Sequence, residues 1–348
     1  MNKKDNRKKN ILWTVVSIIL AVLTVRIVIK QSSSVSFKEL LAIIASSNKL
    51  YFLLAIFCAG VFVWAEGVAV GTVLKYAGYP RKKRQNLIYA TSDIYFSGIT
   101  PSATGGQPAS AFFMMRDGIP GGVATASLVL NLMMYTISII VLGLVSILLS
   151  PTSFLDFNLY SKILITVGFF GLSGLSAAFL FILKKGSLLF DLLSGCVNLL
   201  YNKHIIKEKD KKLQRLNKTR HDYESCSDLI AGRKRVLFFT LFWNLVQRGA
   251  QMLVPAVLYL SLGGTGGTAP TVFARQCLIT IGYNFVPIPG GMGISDYLMI
   301  DGFKSLMGEK MTYQVELLSR GITFYICVAV CGLITLGAYF LTRKKDEL

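Results

Sequence analysis

Along this chain apolar residues gather into long, nearly unbroken runs instead of the spaced stripes that amphipathic surface helices carry. A hydrocarbon layer about 30 Å thick takes roughly 20 helical residues to cross, so each such run predicts a membrane-spanning helix. Six runs qualify: Ile11–Ile29, Leu50–Leu74, Val123–Leu149, Ile163–Leu183, Val236–Leu262 and Gly321–Leu341, the last following Arg320. Two further hydrophobic stretches, Asn86–Asp117 and Thr271–Gly302, are interrupted by Pro and Gly. Proline removes a helix donor and glycine frees the backbone, so each reads as two short helices joined at a tip.

Orientation follows from the Lys and Arg content of short loops. The basic N-terminus, the Lys75–Arg84 loop, the long Lys184–Arg235 loop and the Arg343–Lys345 tail belong in the cytoplasm, and the segments between them outside. For that alternation to hold, Asn86–Asp117 must enter and leave from the cytoplasmic side and Thr271–Gly302 from the outside, as re-entrant hairpins. Residues 50–149 then form a span, hairpin, span unit that residues 236–341 repeat in the opposite direction. Broken helices at matching places in inverted repeats mark transporters whose substrate site lies near the midplane, between the repeats. The local strings agree in position: TPSATGGQPASAFFMMRDG (Thr100–Gly118) lies beside VPIPGGMGISDYLMIDGF (Val286–Phe303), with Gly105–Gly106 opposite Gly290–Gly291. The predicted fold is an all-α integral membrane protein, residues 1–348 forming one polytopic domain with six transmembrane helices, two re-entrant hairpins and a basic cytoplasmic loop at 184–235.

Composition narrows the function classes. A mean hydropathy of +0.55 excludes an ordinary soluble domain. The net charge of +19 invites a nucleic-acid partner, yet the basic residues cluster at span ends, where anionic headgroups attract them, so the bilayer is the expected partner and nucleic acid is not. Lys3, Lys4, Arg7, Lys8 and Lys9 open the first run as in a secretory signal, but no small-residue cleavage site follows, and the run reads as a retained span. Cys58, Cys196, Cys226, Cys277, Cys327 and Cys331 lack metal-ligand spacing, and His204 and His221 lack a paired ligand. Neither a metal nor a cofactor is expected.

Hairpin tips at membrane depth expose backbone polar groups, which only protein or a watery cavity can satisfy. Pro101, Gly105, Gly106 and Pro108 in the first tip, and Pro287, Pro289, Gly290 and Gly291 in the second, therefore line a cavity or else form buried kinks. A half-helix starting near Gln107 would aim its positive end at such a cavity, a place suited to a lipid phosphate. Ionisable residues inside spans are expensive and default to function. Glu66 and Arg248 occupy comparable positions in the two units and are expected to meet across the repeat interface, either as a static ion pair or in contact with a headgroup. Asn244, Gln247 and Gln251 share the Arg248 face at helical spacing. Asp93, Gln107, Arg116 and Asp117 add polarity to the first hairpin, and Arg275, Gln276, Asn284, Asp296 and Asp301 to the second. The expected substrate-binding set is Glu66, Asp93, Gln107, Arg116, Gln247, Arg248, Asn284 and Asp296, with guanidinium for phosphate and carboxylate for an amine. Residues at the hairpin bases, Arg116, Asp117 and Asp301, are alternatively interfacial anchors. No aligned nucleophile and base is visible, so no catalytic residue is assigned.

Other signals carry no chemistry. Gly186–Tyr201 and the basic Lys203–Arg220 stretch read as inner-surface elements, and Ser36-Phe-Lys-Glu39 as a capping box opening a short outer helix. The Asn217-Lys-Thr219 sequon and the terminal Lys345-Asp346-Glu347-Leu348 lie on the wrong side for their usual roles.

Through TPSATGGQP (Thr100–Pro108) with Arg116 following, and PIPGGMGISD (Pro287–Asp296), the sequence resembles the lysylphosphatidylglycerol synthase transmembrane family, the flippase module of the multiple peptide resistance factor proteins. The likeness extends over nearly the whole chain, although the family's second motif often ends in Glu where this chain has Asp296. The resemblance implies a multi-pass protein of a bacterial cell membrane. It would move aminoacylated phosphatidylglycerol, or a related polar lipid, between leaflets, lowering the attraction of cationic antimicrobial peptides. Full-length members also transfer lysine from lysyl-tRNA to phosphatidylglycerol with a soluble domain. The largest polar loop here, about 50 residues, is at the lower limit of an independent domain, so transferase activity is not expected. Two other readings stay open: a phosphatidylglycerol lysyltransferase or its subunit, and a non-transporting partner of a lipid-modifying enzyme. Homo-oligomerisation is likewise left open.

Overall fold

The structure, a computed structural model, describes residues 37–100, 104–202, 209–286 and 293–346, and within them every regular element is helical. The expected first span Ile11–Ile29 lies outside the described residues, as do Ser36, His204 and the tip residues Pro101, Pro287, Pro289, Gly290 and Gly291.

A short helix, α1 (Phe37–Ser46), precedes α2 (Lys49–Tyr76), whose N-terminus is capped by the Asn48 side chain accepting the Leu50 N–H at 3.0 Å. Next come α3 (Lys83–Ile99) and α4 (Gly106–Arg116), the two arms of the first broken stretch, then α5 (Gly121–Leu149) and α6 (Leu159–Lys184). The long basic loop is itself helical, as α7 (Gly186–Asn202) and α8 (Lys209–Ala231). The second half runs through α9 (Lys234–Ser261) and α10 (Ala269–Asn284) to α11 (Ile294–Arg320), a π-helical segment (Gly321–Ile326) and α12 (Cys327–Asp346).

Among the described residues four helical stretches are long and apolar enough to cross a bilayer: α2, α5, α6 and Ile294–Leu341. The predicted span Val236–Leu262 is helical over Lys234–Ser261 but is not one of these four, because Asn244, Gln247, Arg248 and Gln251 make its centre polar. The last span also starts earlier than its apolar run. The chain turns at Gly308, where φ of 72° suits a residue without a side chain, and continues as helix from there into α12. Hydropathy placed the start at Gly321 because Glu316 and Arg320 interrupt the apolar pattern; the helix tolerates both because they lie 3.9 Å apart and Arg320 also reaches Asp296.

Packing sets these helices around a central gap. The most extensive contact joins α2 and α9, which run antiparallel: the Asn48 N–H at the start of α2 donates to the Ser261 carbonyl at the end of α9 at 2.7 Å. Trp64 and Trp243 meet edge to face along the same seam, 5.3 Å between ring centres. The contacts of the two broken stretches are largely reciprocal: α3 packs on α2, α4 and α12, while α10 packs on α9, α11 and α5 and additionally on α6. Apolar side chains form two main cores. One gathers Val70, Leu74, Tyr89, Met114, Leu130 and Met134 with Tyr223 of α8 and Val236 of α9. The other gathers Ile139, Ile165, Met252, Ile279, Leu298 and Val315. Helix α8 belongs to the first core, fixed by Tyr223 donating to the Ile182 carbonyl at 3.0 Å and by Ser227 donating to that of Leu183.

Candidate functional site

Between the two cores lies a cavity of about 520 Å³, walled by α2, α3, the start of α4, α5, α6, α9, α10 and the last span. Its chemistry follows from where each helix turns polar. Along α5, Met134 belongs to one core and Ile139 to the other, and Asn131 and Tyr135 face the cavity near that change. Along α9, Val236 and Met252 play those parts, with Gln247, Arg248 and Gln251 at the cavity wall.

Glu66 of α2 is 3% exposed. Its carboxylate accepts from the Asn131 amide at 2.9 Å, and the Asn131 oxygen in turn accepts from the Asn244 amide at 3.0 Å. Asp93 of α3 turns its accessible face to the same cavity and accepts from Gln107 Nε2 at 3.0 Å and Ser97 Oγ at 3.2 Å. Gly106 makes this possible: a Cβ there would sit 1.9 Å from Asp93 Oδ1, so only glycine lets the start of α4 approach the carboxylate. The N-terminal end of α4 faces the cavity through Thr104 and Gln107, as expected of a half-helix starting there.

Arg248 shares this cavity with Glu66 without forming a direct ion pair. Its guanidinium donates to Gln251 Oε1 at 2.7 Å and lies over the rings of Tyr135, 4.0 Å from the centroid, and Phe62, 5.0 Å away. Cation–π contact of this kind holds a charge in place without neutralising it. Tyr135 donates to Asn284 Oδ1 at 2.8 Å, tying α5 to the end of α10. Among the described residues several buried polar atoms here lack a partner, including Gln107 Oε1, Gln247 Oε1 and Arg248 Nε. An unsatisfied buried acceptor costs about 1–3 kcal/mol, a deficit a bound polar group would relieve.

Of the expected binding residues, the cavity brings together Glu66, Asp93, Gln107, Gln247, Arg248 and Asn284. Asp296 stands one layer back. It caps α11, accepting the Gly293 N–H at 2.9 Å, and pairs with Arg320, whose Nε lies 2.5 Å from Asp296 Oδ1. Arg116 lies away from the cavity, at the last turn of α4 with its guanidinium 5.6 Å from the Tyr339 ring centre. The neighbouring Asp117 accepts from Gln85 at 2.9 Å and from Tyr89 at 2.5 Å, fastening the base of the first hairpin. Asp301 accepts the Asn158 N–H at 3.1 Å, and Arg275 pairs with Asp156 and donates to the Gly302 carbonyl at 2.6 Å. These are fastenings between elements. Gly105 and Pro108 do not line the cavity either; Gly105 donates to Thr100 Oγ1 at 2.9 Å in the turn before α4.

Sequence reading passed over three contributors: Asn131, Tyr135 and Arg320. Asn131 and Tyr135 sit in an otherwise apolar run, and their four-residue spacing was the available sign. Arg320 borders both the main cavity and a smaller pocket of about 40 Å³, to which Gln251, Tyr283 and Thr323 also belong. Pro255 lines that second pocket too, and its missing N–H releases the Gln251 carbonyl from the α9 ladder. Among the described residues no group of three or more His, Cys, Asp or Glu side chains could hold a metal ion.

Taken together, the cavity offers carboxylates to a cation, a guanidinium and a helix N-terminus to an anion, and aromatic rings between them. Its size is within the range of small-ligand sites, roughly 300–1,000 Å³. The chain is also similar to a named membrane protein, UPF0104 membrane protein PH1989 of Pyrococcus horikoshii, at 25% identity over 303 residues, covering 82% of this chain and 86% of that protein. The family described as lysylphosphatidylglycerol synthase TM region matches residues 11–331, and the chain belongs to that family.

Proposed function

We propose that this protein is a lipid flippase, moving aminoacylated phosphatidylglycerol or a related polar lipid between leaflets and so contributing to resistance against cationic antimicrobial peptides. One observation carries the reading: a polar cavity of about 520 Å³, holding Glu66, Asp93 and Arg248, separates two apolar cores in a chain of bilayer-spanning helices. Such groups are expensive at membrane depth and face a substrate path or one another. The headgroup travels through the cavity while its acyl chains stay in the bilayer.

In this reading α3–α4 and α10–α11 are re-entrant hairpins of an inverted repeat, with the chain ends on the cytoplasmic side. Reciprocal packing of α3 on α12 and of α10 on α5 supports the repeat, since a two-fold relation exchanges those pairs. The neck formed by Gln251, Tyr283, Arg320 and Thr323 between the two pockets is the barrier on the outer side.

The test is reconstitution into vesicles carrying fluorescent lysyl-phosphatidylglycerol, with leaflet distribution read by quenching from outside. Faster equilibration than in empty vesicles, slowed at least tenfold by Arg248→Gln, is the expected result. A leaflet distribution unchanged by the protein refutes the flippase. Radiolabelled lysine entering lipid in the presence of lysyl-tRNA would instead establish transferase activity.

A further inference from the structure

The proposed cavity has an uneven charge balance. Glu66 and Asp93 both line it, and among the described residues neither is in an ion pair. The remaining titratable or charged groups facing this pair can be named element by element. Helix α5 contributes Tyr135, α9 Arg248, α10 Tyr283 and the last span Arg320, with Cys327 of α12 nearby. Tyr135 and Tyr283 bring phenol hydroxyls and no fixed charge. Arg320 is already committed to Asp296 and Glu316. Among the described residues Arg248 alone is left to balance two carboxylates, and it does so from a stacked position over Tyr135 and not from a salt bridge.

A second observation is independent of the acidic pair. Gln247 is 1% exposed, lines the same cavity, and its Oε1 accepts from nothing. A buried amide oxygen in a cavity that two carboxylates also line is an acceptor awaiting a donor, and a protonated carboxyl or an ammonium group meets that need. Two carboxylates lining one cavity with a single guanidinium favour keeping one proton between them, as paired carboxylates elsewhere do.

We propose that Glu66 and Asp93 hold one exchangeable proton between them while the cavity is empty, and that a cationic headgroup displaces it, coupling lipid movement to proton movement in the opposite direction. The coupling rests on the flippase reading; the shared proton does not. Charge and atoms balance. On entry of an ammonium from the cytoplasmic side, the O–H bond of the shared carboxyl breaks, its proton passes to water on that side, and the ammonium pairs with the carboxylate left behind. After the headgroup leaves on the outer side, a proton from outside re-forms the O–H bond. Each cycle exchanges one cationic group outward for one proton inward, so an inward proton gradient drives outward lipid movement.

Two measurements separate this from the reading beneath it. The first needs no lipid substrate: infrared difference spectra of the full chain in nanodiscs of phosphatidylcholine, recorded between mildly acidic and mildly alkaline pH. The wild type is expected to show a protonated-carboxyl band that titrates, and Glu66→Gln and Asp93→Asn are each expected to lose it entirely, because one proton is shared. The helical amide band, recorded in the same spectra, verifies that each variant is folded. Absence of the titrating band in the wild type, or its retention in a folded single variant, overturns the proposal whether or not the protein moves lipid. The second imposes pH gradients of either sign on vesicles holding lysyl-phosphatidylglycerol and the wild-type protein. Accumulation in the more acidic compartment's leaflet, reversing when the gradient is reversed, is the expected result. Lipid movement that ignores the pH gradient, or follows a sodium gradient instead, overturns the coupling and leaves the flippase standing. No lipid movement under any gradient, with the titrating band present, overturns the flippase and the coupling together and leaves only the shared proton.

Discussion

Gly106 shows how little room the site leaves. Its missing side chain brings the first turn of α4 against Asp93 and Ser97, so Gly106→Ala must displace the Asp93 carboxylate or the helix itself. Overpacking of this kind costs about 1–3 kcal/mol. We expect a lower melting temperature and at least tenfold slower lipid equilibration, read by thermal scanning and the vesicle assay on the same preparation. Tyr135 separates two effects. Tyr135→Phe keeps the ring beneath Arg248 and removes only the hydrogen bond to Asn284, so it should cost about 1 kcal/mol of stability, whereas Tyr135→Ala also removes the platform for the guanidinium. A larger loss in the phenylalanine variant than in the alanine variant would contradict the role given to the ring.

At the scale of elements, the positions of the broken stretches were legible in the sequence, because Pro and Gly interrupt apolar runs at Thr100–Pro108 and Val286–Gly293 and α3, α4, α10 and α11 end or begin there. Side-chain destinations were less so. Glu66 and Arg248 were found because charge in an apolar run is conspicuous; Asn131 and Tyr135 are common enough in membrane helices to pass unnoticed. The division of Arg116, Asp117, Arg275 and Asp301 into fastenings, and of Asp93 and Gln107 into cavity residues, depends on helix rotation, which polarity alone does not set. Asp296 occupies a middle case, since its carboxylate both caps α11 and engages Arg320. Asp296→Glu should therefore retain most of the lipid movement, and Asp296→Asn should weaken the hold on Arg320 by on the order of 2 kcal/mol, the worth of a hydrogen bond to a charged group. A cysteine at Thr323, which borders both pockets, reports on that hold. Its labelling from outside should quicken in the asparagine variant and not in the glutamate variant.

For the whole molecule, composition gave the solvent, while the partition of the apolar interior into two cores could not be read from runs that cross both without a break; the basic loops predict an orientation. Orientation can be measured with the native cysteines. Cys196 of α7 is exposed, whereas Cys58, Cys226, Cys277, Cys327 and Cys331 are buried. A membrane-impermeant maleimide should label Cys196 in inverted membrane vesicles and leave sealed cells unlabelled, with Cys196→Ser as the control. Labelling of sealed cells would place α7 and α8 outside and reverse the direction assigned to the transport cycle.

The wide turn at Gly321–Ile326 has a geometric corollary. A π-helical turn accommodates one residue more than an α-helical turn, and one residue of α-helix corresponds to about 100° of rotation and 1.5 Å of rise. Were that turn to tighten, everything before it, Arg320 included, would swing by about a quarter of a circle relative to α12. Arg320 on one side of the cavity wall would then turn relative to Val328 of α12 on the other, so the surplus residue acts as a swivel wound into the backbone itself.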